Sequence, residues 1–309
     1  MYTFLGFPKV GIDEIKELDA VIFGIPFDDL STYRKGPKYA PKAIRKASEC
    51  YDPYVPDLDF DFSNFNIADL GDVKLGSNDP LENLSKIEDF ANSICRERVR
   101  FAVFGGDHSV TLPIAKALSK NFKKVGLIWI DAHLDFWEEY PEGIKISHAT
   151  VLKRILETTN ISAKNVINLG FRAYGSASYE KRDAEKYGIK IISTKDLFKK
   201  ETLRQIDTIV KEISENVEAL HVSIDIDVLD PAFAPGVTNP EPGGISTRNL
   251  LNILEIIGRY NFSFDVVELA PPYDISEITA HAATVITIQA LGLMLSSNLT
   301  NKHQNGTLY

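Results

Sequence analysis

The sequence predicts an α/β domain: a mostly parallel sheet with helices on both faces. Three observations point there. Short apolar runs rich in Val, Ile, Phe and Leu recur along the 309 residues, with helical segments between them. Several runs are almost continuously apolar, as strands buried on both faces of a parallel sheet must be. Acids and imidazoles cluster just after these runs, at the strand ends where open parallel sheets bind their ligands.

In chain order, the strands are expected at 20–24, 101–104, 125–130, 166–169, 220–226 and 264–269. Helices are expected at 41–49, 81–98, 111–119, 150–158, 247–258 and 277–296. No linker rich in Pro, Gly or Ser interrupts this alternation, and no repeat or low-complexity tract is present. A single domain over 1–309 is therefore expected, with the polar segment 298–309 fraying at its end.

The net charge of −9 repels nucleic acid and anionic lipid, so neither is expected as a partner. The same charge suits a small cationic partner. The basic stretch 34–46 is short and interrupted, and reads as a solvated helix face. Cys50 and Cys95 are far apart and form no CxxC pair, which fits reduced thiols in the cytoplasm. Met1 is followed by Tyr2-Thr3-Phe4 rather than a basic region and an apolar run, so no secretory signal is expected. No apolar run is expected to reach the roughly 18 residues of a membrane span.

The chemistry lies in three segments. In Trp129-Ile130-Asp131-Ala132-His133-Leu134-Asp135, residues 131, 133 and 135 alternate, so an extended chain points them the same way. Ser223-Ile224-Asp225-Ile226-Asp227 repeats the device with Asp225 and Asp227. Gly105-Gly106-Asp107-His108-Ser109 adds His108. Four carboxylates gathered without cations would repel one another, and several would have to hold protons. Two divalent ions offset that charge. Carboxylate and imidazole donors without thiolate select Mn, Fe, Co or Zn. Two such ions about 3.5 Å apart can hold a hydroxide as nucleophile at neutral pH.

Each segment alone has a plainer reading. Asp131 or Asp227 could cap a helix, and Gly105-Gly106 could form an anion-binding loop. A dinucleotide site is not expected, because Gly24-Ile25-Pro26-Phe27-Asp28 supplies no GxGxxG.

Together the three segments resemble the signatures of the ureohydrolase family, which includes arginase and agmatinase. The likeness continues through residues 228–236, and it extends to residues 36–47, to Ser147-His148-Ala149-Thr150, and from Asp265-Val266-Val267-Glu268 to Glu277-Ile278-Thr279. It implies a three-layer α/β/α arginase–deacetylase fold with an eight-stranded parallel sheet. It also implies two manganese ions per chain, one held by His108 and Asp135, the other by His133 and Asp227, with Asp131 and Asp225 bridging. By the same resemblance Glu268 holds a substrate guanidinium, and His148 shuttles protons at the mouth. Asp135 carries the proton of the metal-bridging hydroxide toward the leaving nitrogen. A trimer or hexamer is the assembly implied.

The implied reaction releases urea from a guanidino compound. Specificity rests on the loop 136–147, which holds Trp137, Tyr140 and three Glu but no Asn. Such a loop is expected to repel a carboxylate and admit an alkyl ammonium, so agmatine, hydrolysed to putrescine and urea, is the expected substrate. Arginase, guanidinobutyrase and formimidoylglutamase activities are the alternatives. Ala149 departs from the Gly that many relatives carry after the histidine. The one-zinc deacetylases of related fold are disfavoured by the six-residue ligand set.

Overall fold

The computed structural model describes residues 2–305, and from residue 297 onward only the backbone. Ten strands are found among the described residues: β1 (Ala20–Gly24), β2 (Tyr54–Val55), β3 (Phe60–Asp61), β4 (Ile67–Asp72), β5 (Arg100–Phe104), β6 (Val125–Ile130), β7 (Val166–Phe171), β8 (Lys190–Ser193), β9 (Ala219–Asp225) and β10 (Ser263–Val267). Strands β2 and β3 form a small antiparallel hairpin. The other eight form one sheet in the order β4-β1-β5-β10-β9-β6-β7-β8, with every neighbour parallel.

Nine α-helices are found among the described residues: α1 (Ala40–Ser48), α2 (Pro80–Arg96), α3 (Thr111–Asn121), α4 (Val151–Thr158), α5 (Ser178–Tyr187), α6 (Thr194–Leu197), α7 (Lys200–Asn216), α8 (Thr247–Ile257) and α9 (Ile278–Asn305). Successive strand residues point to opposite faces. Ile22, Ile128 and Ile130 accordingly join a core with α1, α7, α8 and α9. Val21, Phe23, Leu127 and Trp129 join a second core with α2, α3 and α4. Three layers result, because a parallel sheet that is apolar on both faces needs helices over each.

The caps follow from sequence. Asp79 accepts from the Leu81 amide ahead of Pro80, which opens α2. Ser246 and Asn249 form a reciprocal capping box at the start of α8.

The structure adds elements that the sequence pattern leaves out. Strand β8 has only four residues, and β4 is interrupted by Asp69 and Gly71. Helix α5 buries only Glu180 and Ala184, so it has no apolar stripe to read. Helix α7 does carry one, at Ile206, Val210 and Ile213. Two expected strands end earlier: β9 is shifted by one residue and stops at Asp225, and β10 is shorter and stops at Val267. Ile278–Ser296 is also long and apolar enough to cross a membrane by composition, contrary to the expected absence of such a run. Its window is 78% buried in the fold, against α1 and α8, which explains its hydrophobicity as that of a core helix. The backbone of 298–305 continues α9. The expected fraying of 298–309 concerns side chains, and a segment 306–309, that lie outside the described residues.

Candidate metal centre and its cavity

Four adjacent central strands, β5, β10, β9 and β6, deliver the site from their carboxyl ends. After β5 the chain turns at Gly105-Gly106. A Cβ on Gly106 would lie 1.7 Å from the Phe27 carbonyl oxygen, so only glycine lets the two backbones cross. Asp107 then caps the turn through the Ser109 amide and holds the Leu30 amide with its other oxygen. This fixes His108.

After β6 the chain does not stay extended. Asp131 accepts from the His133 amide at 2.6 Å, the segment bends, and Asp135 adopts a left-handed φ of 49°. After β9, Asp225 accepts from the Asp227 amide at 2.8 Å, and Ile226–Val228 form a 3-10 turn. The expected in-line alternation is therefore corrected. The paired acids converge because each first carboxylate folds the chain back on itself. The left-handed Asp135 and Glu268 (φ 65°) are backbone strain at the site, where strain is commonly held.

All the candidate ligands come together. His108 Nδ1 lies 3.1 Å from Asp131, 3.0 Å from Asp135 and 3.2 Å from Asp225. His133 Nδ1 lies 2.9 Å from Asp227 and 3.4 Å from Asp131. Two ligand groups result, His108–Asp131–Asp225 and Asp131–His133–Asp227, with Asp131 in both. Asp225 falls in the first only.

The hydrogen-bond network fixes how His108 is presented. Its Nε2 meets Ser223 Oγ at 2.9 Å, while that hydroxyl donates to Asp265 at 2.6 Å. Thr111 donates to the other Asp265 oxygen. With its single proton committed to Asp265, Ser223 can only accept from His108. Nε2 therefore carries a hydrogen, and the neutral ring turns the Nδ1 lone pair toward three carboxylates. Trp129 stacks on the ring at 4.0 Å and donates its indole N–H to Asp131.

His108 Nδ1 makes no hydrogen bond within the fold despite these close oxygens. A lone pair aimed at buried carboxylates is repulsive unless a cation lies between them. The titration directions agree. Burial, then the charge of Asp131, pushes Asp135 up to about 7. Burial, then Asp227 and Asp131, raises Asp225 well above the carboxylate range. Burial opposes charge on His108 too, yet the adjoining carboxylates of Asp131, Asp135 and Asp225 raise it well above the usual imidazole range. Without metal the site would thus neutralise itself with protons. The donor set fits divalent ions, which would replace them.

Glu268 is buried. It accepts from the His108 amide at 2.6 Å, from His148 Nδ1 at 3.0 Å and from the Thr238 hydroxyl. His148 is also buried, rather than open at a mouth. The Thr32 amide donates to its Nε2 at 3.1 Å, with the Thr32 hydroxyl at 2.7 Å. Burial opposes a second proton on His148, but Glu268 outweighs it and raises the ring to about 8. The Thr32 hydroxyl can turn to accept that proton.

A cavity of about 110 Å³ opens over these groups. Trp137, Tyr140, Thr32, Glu180 and Glu241 line it beside the ligands, and no Lys or Arg is among the described lining residues. The loop 136–147 thus contributes differently than expected. Glu138 pairs with Lys153 and Arg154, and Glu139 accepts from the Gly143 amide. The loop brings aromatic rings to the cavity, while acidity comes from Glu180 and Glu241.

Sequence reasoning missed these two, together with Ser223 and Asp265 as partners of His108. Ser223 stands two residues before Asp225 on one strand, a period-two signal for the same face. Glu241, 3.6 Å from His133 Nε2, lies in a loop without such a signal. Arg172 is a further support: it donates to the carbonyls of Asp227, Val228, Leu229 and Glu241 and so ties both loops together.

Known proteins share this arrangement. Residues 18–292 match the model of the Arginase family. Agmatinase from Bacillus subtilis is 35% identical over 282 residues, covering 90% of this chain and 92% of its own length. Guanidinobutyrase from Pseudomonas aeruginosa is 33% identical over 270 residues, covering 84% and 82%. The structure of proclavaminate amidino hydrolase from Streptomyces clavuligerus superposes with a TM-score of 0.84 at 26% identity, covering 96% of this chain and 98% of that one. Fold, ligand cluster and sequence match converge, and the chain belongs to the arginase family of binuclear metal hydrolases that act on guanidino C–N bonds.

Proposed function

We propose that this protein hydrolyses agmatine to putrescine and urea with two Mn²⁺ held by His108, Asp131, His133, Asp135, Asp225 and Asp227. The observation that carries the choice of substrate is the cavity lining: acids and aromatic rings, with no Lys or Arg among the described residues. Such a lining stabilises a cationic tail, and beside the neutral donors Thr32, Ser176 and Asn239 it offers a carboxylate no Lys or Arg among the described residues. That separates agmatine from arginine and 4-guanidinobutyrate, which share its guanidinium.

When bound, the two ions supply a water-derived nucleophile at neutral pH. The chain supplies the rest. Glu268 receives the guanidinium through charge-assisted hydrogen bonds, with His108 N–H and Thr238 fixing its carboxylate. Asp135 carries a proton from the attacking oxygen to the leaving nitrogen. His148, between Glu268 and Thr32, moves protons between the cavity and its edge. Trp137 and Tyr140 narrow the entrance and exclude water. The same reading carries a cytoplasmic trimer or hexamer, which light scattering of the purified protein tests.

The test of the reaction is reconstitution. Protein stripped of metal is expected to release no urea from agmatine, and protein reloaded with manganese to release urea and putrescine in equal amounts. Two bound ions per chain without urea from agmatine would overturn the proposal.

A further inference from the structure

A line of polar side chains crosses the second, apolar core. Parallel register sets Ser263 of β10 beside His221 of β9, and Asp265 beside Ser223. Residues in register point to the same face of the sheet, and this face also carries Val103, Leu127 and Trp129. Ser263 is 8% exposed and the other three are fully buried. They are linked end to end. Ser263 Oγ lies 3.0 Å from His221 Nδ1, and His221 Nε2 lies 2.9 Å from Asp265. Ser223 Oγ then joins Asp265, at 2.6 Å, to His108 Nε2, at 2.9 Å. The line runs from the metal centre at the carboxyl ends of the strands to a cavity of about 1160 Å³ at their amino ends, which Ser263 lines beside Arg100 and Ala219.

The hydrogens in this line converge on Asp265. An ionised carboxylate only accepts, so His221 Nε2, Ser223 Oγ and, from the start of α3, Thr111 Oγ1 all donate to it. The neutral His221 ring then accepts from Ser263 through Nδ1. Burial pushes Asp265 up, yet His221, with His108 and Ser223, holds the acid below its ordinary range. While Asp265 is an anion, Ser223 commits its one hydrogen there and can only accept from His108. An Asp265 that took up a proton could donate to Ser223 instead. Ser223 would then donate to His108 Nε2 and drive the ring hydrogen to Nδ1, the atom that faces Asp131, Asp135 and Asp225. Ser223 and one acceptor behind it are enough to hold His108 in place. A second buried imidazole in an apolar core is costly, and it is explained if it keeps that acceptor charged.

We propose that His221 is a positioning residue for the metal centre: through Asp265 and Ser223 it fixes the tautomer of His108, although it lies three side chains behind that ligand. This rests on the reading of the metal centre above and not on the choice of substrate.

The experiment titrates the metal-stripped full chain with Mn²⁺, following the free ion by electron paramagnetic resonance, in wild type, His221→Leu and His221→Gln. Leucine fills the space beside Phe101 without a donor, and glutamine carries an amide N–H to the place of Nε2. Wild type is expected to fill two sites. His221→Leu is expected to weaken one of them by about tenfold, the low end for lost partners behind a metal ligand, and to leave the other within about twofold. His221→Gln is expected to stay within about threefold of wild type at both. In a Ser223→Ala background, His221→Leu is expected to add less than about twofold, because the line is already cut. Should His221→Leu not fold by thermal melting, His221→Asn, whose amide is too short to reach Asp265, carries the same expectations. A lower melting temperature with both manganese affinities unchanged overturns the proposal and leaves His221 a packing role. Equal weakening of both sites, equal losses in the Leu and Gln variants, or a full further loss in the Ser223→Ala background overturns it too. Wild type that binds no manganese overturns the metal-centre reading, and this inference with it.

Discussion

Ser223→Ala tests the way His108 is held. The hydroxyl accepts from His108 Nε2 at 2.9 Å and donates to Asp265 at 2.6 Å, and all three side chains are buried. Removing it leaves the imidazole N–H without an acceptor and Asp265 with one donor fewer. Each buried unsatisfied group costs about 1–3 kcal/mol. The ring can escape that cost by moving its hydrogen to Nδ1, which removes the lone pair that faces Asp131, Asp135 and Asp225. Metal binding then has to reverse the shift, so the same 1–3 kcal/mol appears as weaker binding at the His108 site. At about 1.4 kcal/mol per tenfold, affinity there should fall roughly 5- to 150-fold, in line with the roughly 10–100-fold typical of lost partners behind a metal ligand. The assay is titration of the stripped protein with Mn²⁺, following free ion by electron paramagnetic resonance. Wild type should fill two sites, and the variant should weaken one while the site at His133 and Asp227 keeps its affinity. Urea production should return at high manganese. Equal weakening of both sites, or unchanged affinity at both, would refute the reasoning.

Three further outcomes follow from the geometry. Glu268→Gln keeps the shape of a group that meets His108 N–H and Thr238 but removes its charge, so kcat/KM for agmatine should fall by at least about 30-fold (roughly 2 kcal/mol), read in the urea assay with an unchanged melting temperature. Metal loading should release protons. Asp135, raised to about 7 by burial and Asp131, and Asp225, raised by burial, Asp227 and Asp131, hold protons in the stripped protein and must lose them, so affinity should fall as pH drops below about 7; calorimetry in buffers of different ionisation enthalpy checks the proton count. Arg45→Ala should destabilise the fold by about 3–5 kcal/mol in denaturant unfolding, because it strands the buried Asp69, which Arg45 holds at 2.7 and 2.8 Å.

The parts of the fold that were legible in the sequence are those whose signal is local. Runs such as Val125–Ile130 are apolar throughout because both faces are covered, and they mark the sheet centre. Helix α5 was illegible because Glu180 and Ala184 are all it buries. The candidate ligands were legible because each pair of acids lies within a few residues at a strand end, yet the reason they converge is not alternation. The backbone hydrogen bonds from Asp131 to the His133 amide and from Asp225 to the Asp227 amide are visible only in three dimensions. The acidic loop misled for a similar reason. Glu138 is neutralised by Lys153 and Arg154, which lie on α4, and no spacing along the loop reveals that pairing. Glu180 and Glu241 reach the cavity from α5 and from the loop before α8, far from the motifs in sequence but adjacent in space.

The central claim is that a binuclear metal site beneath an acidic, aromatic cavity acts on a guanidine with a cationic tail. Its most direct test is competition between agmatine and 4-guanidinobutyrate for the manganese-loaded protein, because the two carry the same guanidinium and opposite charges at the far end. The account predicts urea almost entirely from agmatine while both are present. Urea drawn mainly from 4-guanidinobutyrate would contradict it.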